Sequence, residues 1–143
     1  MPFTLGMLEA MHQFAPSVVI KKADTVVAYA IVFLKEGRNV YPAMEPMFNN
    51  FEKITWRNKP FVNYHYYIMG QICIAKEYRG LGLFEKLYHK HKELYQSEYD
   101  CIVTSISESN YRSLRAHERF GFKTISAHSD AIDRWKVVAW DWL

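Results

Sequence analysis

The stretch EYRGLGLFEKL, residues 77–87, joins an apolar, strand-like run to an amphipathic, helix-like run. The first N–H groups of a helix have no partner within it, and Gly80 and Gly82 carry no side chains. The amides of residues 81–84 are therefore predicted to bind an anion, helped by the helix dipole. The alternative is a tight turn that needs glycine for its backbone angles alone. The spacing excludes the standard G-x-G-x-x-G and P-loop motifs.

The elements around this turn are predicted from apolar periodicity. Strand 62–75, helix 83–95 and strand 100–107 form a crossover that makes the two strands parallel, and a helix over 110–120 follows and ends at Gly121. The other predicted elements are a helix over 5–14 and strands over 18–20, 25–34, 122–125 and 135–142. Residues 35–60 are expected to form a mobile loop that contains a short helix and covers a site. We expect an α/β (α+β) fold with a mixed, mostly antiparallel sheet flanked by helices.

Length and composition favour one domain spanning residues 1–143. The net charge of +3 is mild and the basic residues are dispersed, which argues against nucleic acid as a ligand. The first residues do not resemble a secretory signal peptide, and the apolar run 26–34 is too short to cross a bilayer, so we expect no membrane insertion and a cytoplasmic location. Cys73 and Cys101 have no partner at metal-ligand spacing, so we expect reduced thiols and no metal.

A second motif, NYRSLRAHERFGF over residues 110–122, begins the helix after the second parallel strand, with Ser107 or Ser109 as the predicted N-cap. It stands one helix and one strand beyond ICIAKEYRGLGL, residues 72–83. With this pair of motifs the chain resembles the GNAT superfamily of acyl-CoA-dependent N-acyltransferases. The resemblance extends over about residues 18–142.

The resemblance implies that the parallel strands 62–75 and 100–107 are splayed and bind acetyl-CoA. The pantetheine arm would pair with the backbone of Ile72, Cys73 and Ile74, and Asn110 would bond the same arm. The pyrophosphate would bind the turn formed by Arg79, Gly80, Leu81, Gly82, Leu83 and Phe84. The acceptor would be an amine of a small molecule or a peptide.

The chain departs from the family pattern at two of these positions. Phe84 stands where the family usually has Gly or Ala, which we expect to weaken or re-aim phosphate binding. His117 stands where a tyrosine often protonates the departing CoA thiolate. An imidazolium with a reference pKa of about 6.5 can do the same, so His117 is the candidate general acid. The alternative is a helix histidine that packs or faces water.

The general base has no clear signal, because the first half of strand 62–75 lacks the carboxylate that many relatives have there. His65 is the candidate base, directly or through water along neighbouring tyrosines. Glu45 and Glu52, in the loop segment, are alternatives. Cys73 is an alternative acyl-carrying nucleophile, although no basic residue is paired with it in the sequence.

Three functions follow from these features. The first is an N-acetyltransferase that moves an acetyl group directly from acetyl-CoA to a primary amine. The second is a catalytically weak or inactive acyl-CoA-binding module. The third is an interaction domain in which strand 135–142 pairs two subunits, and a homodimer of this kind is compatible with the first function.

The start of the chain also departs from the family pattern. Relatives usually have a strand and two helices before the hairpin, whereas about seventeen residues precede Val18. We expect an edge strand and much of the acceptor-site wall to be missing or contributed by another subunit. A shortened start of the sequence is the other explanation.

Overall fold

Secondary structure follows the apolar periodicity of the chain within residues 5–143, the part that the computed structural model describes. The helices are α1 (Leu5–Phe14), α2 (Glu45–Phe51), α3 (Leu83–Tyr95) and α4 (Tyr111–Phe120). The strands are β1 (Val18–Lys22), β2 (Thr25–Phe33), β3 (Thr55–Trp56), β4 (Lys59–Pro60), β5 (Tyr66–Ile74), β6 (Cys101–Ser107), β7 (Lys123–Ser129) and β8 (Arg134–Asp141). The predicted helices over 5–14 and 83–95 are confirmed with the same bounds.

Six strands form one sheet in the order β1-β2-β5-β6-β8-β7, and β3 and β4 form a separate small hairpin. Only β5 and β6 run parallel, while the other neighbours in the large sheet are antiparallel. The parallel pairing joins residues 66–68 to residues 101–103 and then stops, although both strands continue. The predicted mixed sheet with a splayed parallel pair is therefore confirmed.

Two apolar layers cover the two faces of the sheet, because alternate residues of a strand point to opposite sides. Helices α1 and α2 bury one face, and α3 and α4 bury the other. The first layer includes Met11, Phe51, Ile68 and Val103, and the second includes Tyr67, Leu87, Ile102 and Leu114. Helices α3 and α4 thus lie on the same face of the sheet, next to the point where β5 and β6 separate.

The segment between β2 and β5 belongs to the core. Phe51 is fully buried, and its ring centroid lies 5.6 Å from those of Phe61 and Tyr66. The predicted short helix is present as α2, but it packs on the sheet instead of forming a mobile loop over a site. One helix precedes the hairpin in the described residues, and this segment supplies a second helix to the same face.

Strand β5 is shorter than predicted. Residues 61–63 form a 3-10 turn, so the strand begins at Tyr66 and not at residue 62. The turn inserts the Phe61 ring into the core, where it is fully buried.

The N-cap of α4 also differs from the prediction. The side-chain oxygen of Asn110 accepts a hydrogen bond from the Ser113 N–H at 3.3 Å, which is the N-cap interaction. Ser107 and Ser109 instead donate their hydroxyl hydrogens to the Asp133 carboxylate. These serines hold the β7–β8 connection against the end of β6.

Strand β8 lies inside the sheet. It pairs with β6 along one edge and with β7 along the other. Both edges are used, so the prediction that residues 135–142 pair two subunits is wrong. No helix within residues 5–143 is long and apolar enough to span a membrane.

Candidate functional site

A cleft of about 910 Å³ opens between α3, α4 and the carboxyl end of β5. It forms there because β5 and β6 separate after Ile68 and Val103, which leaves the last residues of β5 without a strand on that side. Eight of the ten predicted CoA-binding residues line it: Ile72, Cys73, Ile74, Arg79, Gly80, Gly82, Phe84 and Asn110. The structure therefore brings the two sequence motifs together around one cleft, whereas Leu81 and Leu83 lie outside its lining.

The glycine turn has the backbone geometry that both interpretations of the sequence require. Gly80 and Gly82 have φ angles of 76° and 79°, in the left-handed region that favours glycine. Gly82 is also the N-cap of α3, and no side chain caps that helix. The first amides of α3 consequently have no partner within the helix and are free to bind an anion.

A β-bulge in β5 lies beside the point where the parallel strands separate. Ala30 pairs with Ile72 and Val32 pairs with Met69, so two residues of β5, 70 and 71, oppose the single residue 31 of β2. A bulge redirects the local backbone groups and is common next to active sites. The bulged residues 70 and 71 immediately precede Ile72, which lines the cleft.

Positive charge dominates the cleft. Arg79, Arg112 and Arg119 line it, and none of them forms an ion pair with a carboxylate of residues 5–143. Glu85 is the acidic residue in the lining. Arg79 also donates a hydrogen bond from Nε to the Ile74 carbonyl at 3.1 Å, which ties the turn to the end of β5. A cleft with unpaired guanidinium groups suits a ligand that carries several phosphates.

Phe84 packs between the two helices. Its ring centroid lies 5.1 Å from that of Tyr88, 4.9 Å from that of His117 and 5.9 Å from that of Phe120, each in an edge-on arrangement. The ring therefore joins α3 to α4 and forms part of the cleft wall. Its aromatic contacts run toward α4 and the core.

His117 is fully buried behind Phe84 and does not line the cleft. Its Nδ1–H donates to the Ser113 carbonyl at 2.7 Å, which leaves Nε2 to accept the Tyr88 hydroxyl hydrogen at 2.7 Å. Burial lowers the pKa of His117 to about 4, so the ring is neutral near pH 7. This differs from the imidazolium that the sequence argument assumed.

The remaining candidates lie apart from the centre of the cleft. His65 precedes β5, at the opposite end of the strand from Ile72 and the cleft, where its backbone pairs with Asp100. Glu45 and Glu52 both bind the Arg38 guanidinium, so neither carboxylate is free. Cys73 lines the cleft and is exposed.

Sequence reasoning missed half of the cleft lining. The missed residues are Glu85, His89, Arg112, Ser113, Ala116, Arg119, Phe120 and Trp140. The lining residues of α4 could have been predicted, because positions 112, 116 and 119 lie on one face of a helix. Trp140 had none, since it comes from β8 and joins the cleft only through the sheet order.

Several solved structures of acetyltransferases share this fold. A GNAT family acetyltransferase from Streptococcus agalactiae aligns with 94% of the chain and 69% of its own, with a TM-score of 0.66 and 13% identity. The ribosomal-protein-S18-alanine N-acetyltransferase from Escherichia coli aligns over 99% and 78%, with a TM-score of 0.64 and 13% identity. A GNAT family acetyltransferase from Elizabethkingia anophelis with acetyl-CoA bound aligns over 96% and 83%, with a TM-score of 0.61 and 8% identity. At these identities the likeness shows the fold.

Comparison of the sequence with family models identifies the family. No curated protein matches the chain significantly. The sequence model of the Acetyltransferase (GNAT) family, however, matches residues 3–122, which include both motifs and every predicted site residue. With the splayed strands, the glycine turn and the positively charged cleft, this match establishes that the chain belongs to the GNAT family of acetyltransferases.

Proposed function

We propose that the protein is an N-acetyltransferase that moves an acetyl group from acetyl-CoA directly to a primary amine of a small molecule or a peptide. One observation carries this proposal: the glycine turn and the open end of β5 face the same cleft, beside three unpaired arginines. A ligand with a phosphate-rich middle and an amide-containing arm fits this combination of groups.

Different residues of the chain would bind different parts of acetyl-CoA. The amides at the start of α3 and the Arg79 guanidinium would hold the pyrophosphate. The backbone of Ile72, Cys73 and Ile74 would pair with the pantetheine arm as an added strand, because that side of β5 has no neighbouring strand. Asn110 lies at the facing end of α4 and would bond the same arm.

Acetyl-CoA supplies a thioester whose acyl carbon a neutral amine can attack. Backbone amides of the β5 bulge, where the regular pairing with β2 is interrupted, would polarise the carbonyl oxygen. The amine has to be unprotonated when it attacks, because an ammonium nitrogen has no lone pair. His65 remains a proposed base only if solvent or the acceptor connects it to the cleft.

His117 is the proposed acid, and its surroundings define how this role can be tested. To donate a proton toward the cleft, its imidazole would have to gain a proton on Nε2 and the Phe84 ring would have to move aside. The variant His117→Phe removes every titratable atom. A fall of a hundredfold or more in the acetylation rate, on the order expected for loss of a general acid, supports the role. An unchanged rate assigns His117 to packing alone.

A second function, an acyl-CoA-binding module with little or no turnover, is favoured by one observation. The cleft has a complete anion-binding turn, whereas His117 is neutral and buried outside the cleft lining. Such a module would bind acetyl-CoA and leave it intact.

Thermal unfolding with acetyl-CoA, followed by measurement of free thiol over a broad panel of amines, separates these functions. We expect acetyl-CoA to raise the Tm and at least one amine to release free CoA. The same mixture without amine is the control for hydrolysis. A raised Tm without amine-dependent thiol would support the binding module. No rise in Tm and no thiol would contradict both functions.

The proposal also covers the domain organisation, cellular location and oligomeric state of the protein. We propose that residues 1–143 act as one domain, that the protein works in the cytoplasm, and that a homodimer, if formed, uses a surface other than β8. Light scattering across a range of concentrations tests the homodimer.

A further inference from the structure

Thr104 is a buried polar residue in an apolar part of the sheet. It lies in β6 and is 5% exposed, and strand alternation directs it to the face that α3 and α4 cover, as it does Ile102 and Ile106. On β8 it lies opposite Val138, which is also buried. Burying a hydroxyl costs stability unless the hydroxyl is hydrogen-bonded. The hydroxyl of Thr104 therefore needs a partner within the protein.

The partner of Thr104 is a carbonyl of β5 at the point where the parallel strands separate. Thr104 donates a hydrogen bond from Oγ1 to the Met69 carbonyl at 3.0 Å. Backbone pairing of β5 with β6 ends at Ile68 and Val103, the residues directly before Met69 and Thr104. In a parallel ladder the carbonyls of one strand accept hydrogen bonds from amides of the other. Here a side-chain hydroxyl takes the place of a β6 amide, so the carbonyl is satisfied while the strands diverge.

The contact between Thr104 and β5 also lies beside the β5 bulge. Met69 immediately precedes the bulged residues 70–71, and Ile72 follows them. The Ala75 amide donates to the Val27 carbonyl at 2.8 Å, so alternation along the strand directs the backbone groups of Ile72 away from β2, toward the open side of β5. The position of Met69 therefore sets where the bulge begins and where these backbone groups lie.

We propose that Thr104 is a positioning residue for acyl transfer. Its hydroxyl ends the parallel ladder by occupying the Met69 carbonyl, and it thereby fixes the bulge amides that polarise the thioester carbonyl. This inference rests on the proposed function, because it assigns a residue that supports the same reaction. Thr104 lies outside the cleft lining, so it acts through β5 and not by touching acetyl-CoA. Accurate placement matters because a displacement of about 1 Å can cost about a hundredfold in rate.

Infrared spectroscopy of bound acetyl-CoA tests this role without an acceptor amine. Hydrogen bonds to the thioester oxygen lower the frequency of the C=O stretch, which an isotope label on the acyl carbonyl separates from the protein bands. We expect the wild-type protein to lower this frequency relative to free acetyl-CoA. Thr104→Val removes the hydroxyl and should reverse most of the shift. Thr104→Ser keeps the hydroxyl and should keep the shift.

Turnover gives a second measurement of the same role. With any amine that releases free CoA, Thr104→Val should lower kcat about tenfold and leave the KM for acetyl-CoA nearly unchanged, because only the transition state loses a contact. Thr104→Ser should restore kcat.

Affinity and a control variant separate positioning from general destabilisation. Calorimetry should give the same Kd for acetyl-CoA in the wild type and Thr104→Val to within about threefold, because the glycine turn and the arginines are unchanged. Ile102→Val removes one methylene from the same face of β6, at a position where the ladder with β5 is regular. It should lower the Tm without moving the carbonyl frequency.

The outcomes separate this inference from the proposed function. Thr104→Ala is a second variant without the hydroxyl and replaces Thr104→Val if that variant does not fold. The inference is overturned if the variant without the hydroxyl keeps the wild-type carbonyl frequency, if Ile102→Val moves the frequency equally, or if the wild type shows no shift. In each of these cases acetyl-CoA still binds, and amine-dependent thiol release still decides the proposed function. If the wild type does not bind acetyl-CoA, the proposed function fails and the inference fails with it.

Discussion

At the residue scale, the two departures from the family pattern touch each other. The ring centroids of Phe84 and His117 lie 4.9 Å apart. Phe84 is larger than the usual Gly or Ala, and His117 is smaller than the usual tyrosine. The smaller His117 therefore offsets part of the volume that Phe84 adds. The contact joins residues 33 positions apart in the sequence, which is why the two departures looked independent there.

The glycine turn yields a prediction at the same scale. Gly82→Ala lowers the free energy of unfolding by about 1 kcal/mol, because a side chain disfavours a φ of 79°. The cost is conformational, since a Cβ at this position would meet no atom within 4 Å. Chemical denaturation measures the change.

Gly6→Ala is the matched control for Gly82→Ala. Gly6 also has open space around its Cα, but it lies in α1 and its φ is not positive. Alanine is therefore expected to raise stability there by up to about 1 kcal/mol. Two substitutions with the same sign would contradict the conformational explanation.

At the element scale, helix α4 carries two functions at its first turn. Asn110 caps the helix through Ser113, and it also lines the cleft. The sequence identified the helix and its terminal glycine, but it favoured serines for the cap. Those serines instead donate hydrogen bonds to Asp133. Asp133 lies in the β7–β8 connection, so this contact could not be predicted from the local sequence.

Variants of Asn110 separate the cap from the ligand contact. Asn110→Ala lowers the free energy of unfolding by about 1 kcal/mol, because the Ser113 amide loses its acceptor. Asn110→Asp keeps the cap and its stability, but it brings a negative charge to a cleft lined by three arginines, so we expect acetyl-CoA to bind more weakly. Denaturation and calorimetry measure the two effects. If both variants bind acetyl-CoA with wild-type affinity, Asn110 serves only as the N-cap of α4.

At the scale of the whole molecule, two buried histidines make stability depend on pH. His91 and His117 are fully buried, and burial lowers the pKa of each to about 4. Each donates one ring N–H to a carbonyl and accepts a tyrosine hydroxyl at the other nitrogen. Both rings are therefore held neutral by the fold.

The sign of the pH effect follows from these pKa values. Between about pH 6.5 and 4 the unfolded chain binds more protons at these histidines than the folded chain, so stability falls as the pH falls through this range. From pH 7 to pH 5 the loss is on the order of 2 kcal/mol for each histidine. Urea denaturation at the two pH values measures it.

A variant and a control isolate the contribution of one ring. His117→Gln should remove about half of the difference between pH 7 and pH 5. Leu114→Ala, a buried apolar change on the same helix, should lower stability equally at both pH values. Equal wild-type stability at pH 7 and pH 5 would contradict the neutral, buried state of the two rings.

Local pattern by itself determined the helices, most of the strands, the parallel pair and the turn at residues 77–87, because each depends on apolar spacing and backbone preferences within a short stretch. Local pattern also identified the family, since each of the two motifs is an unbroken stretch of the sequence. Only the tertiary structure decided that β8 is an inner strand, that residues 34–65 help to bury the sheet, that His117 is neutral, and that His89, Arg119 and Trp140 share one cleft. These properties depend on strand order and burial, which bring together side chains that are far apart in the sequence.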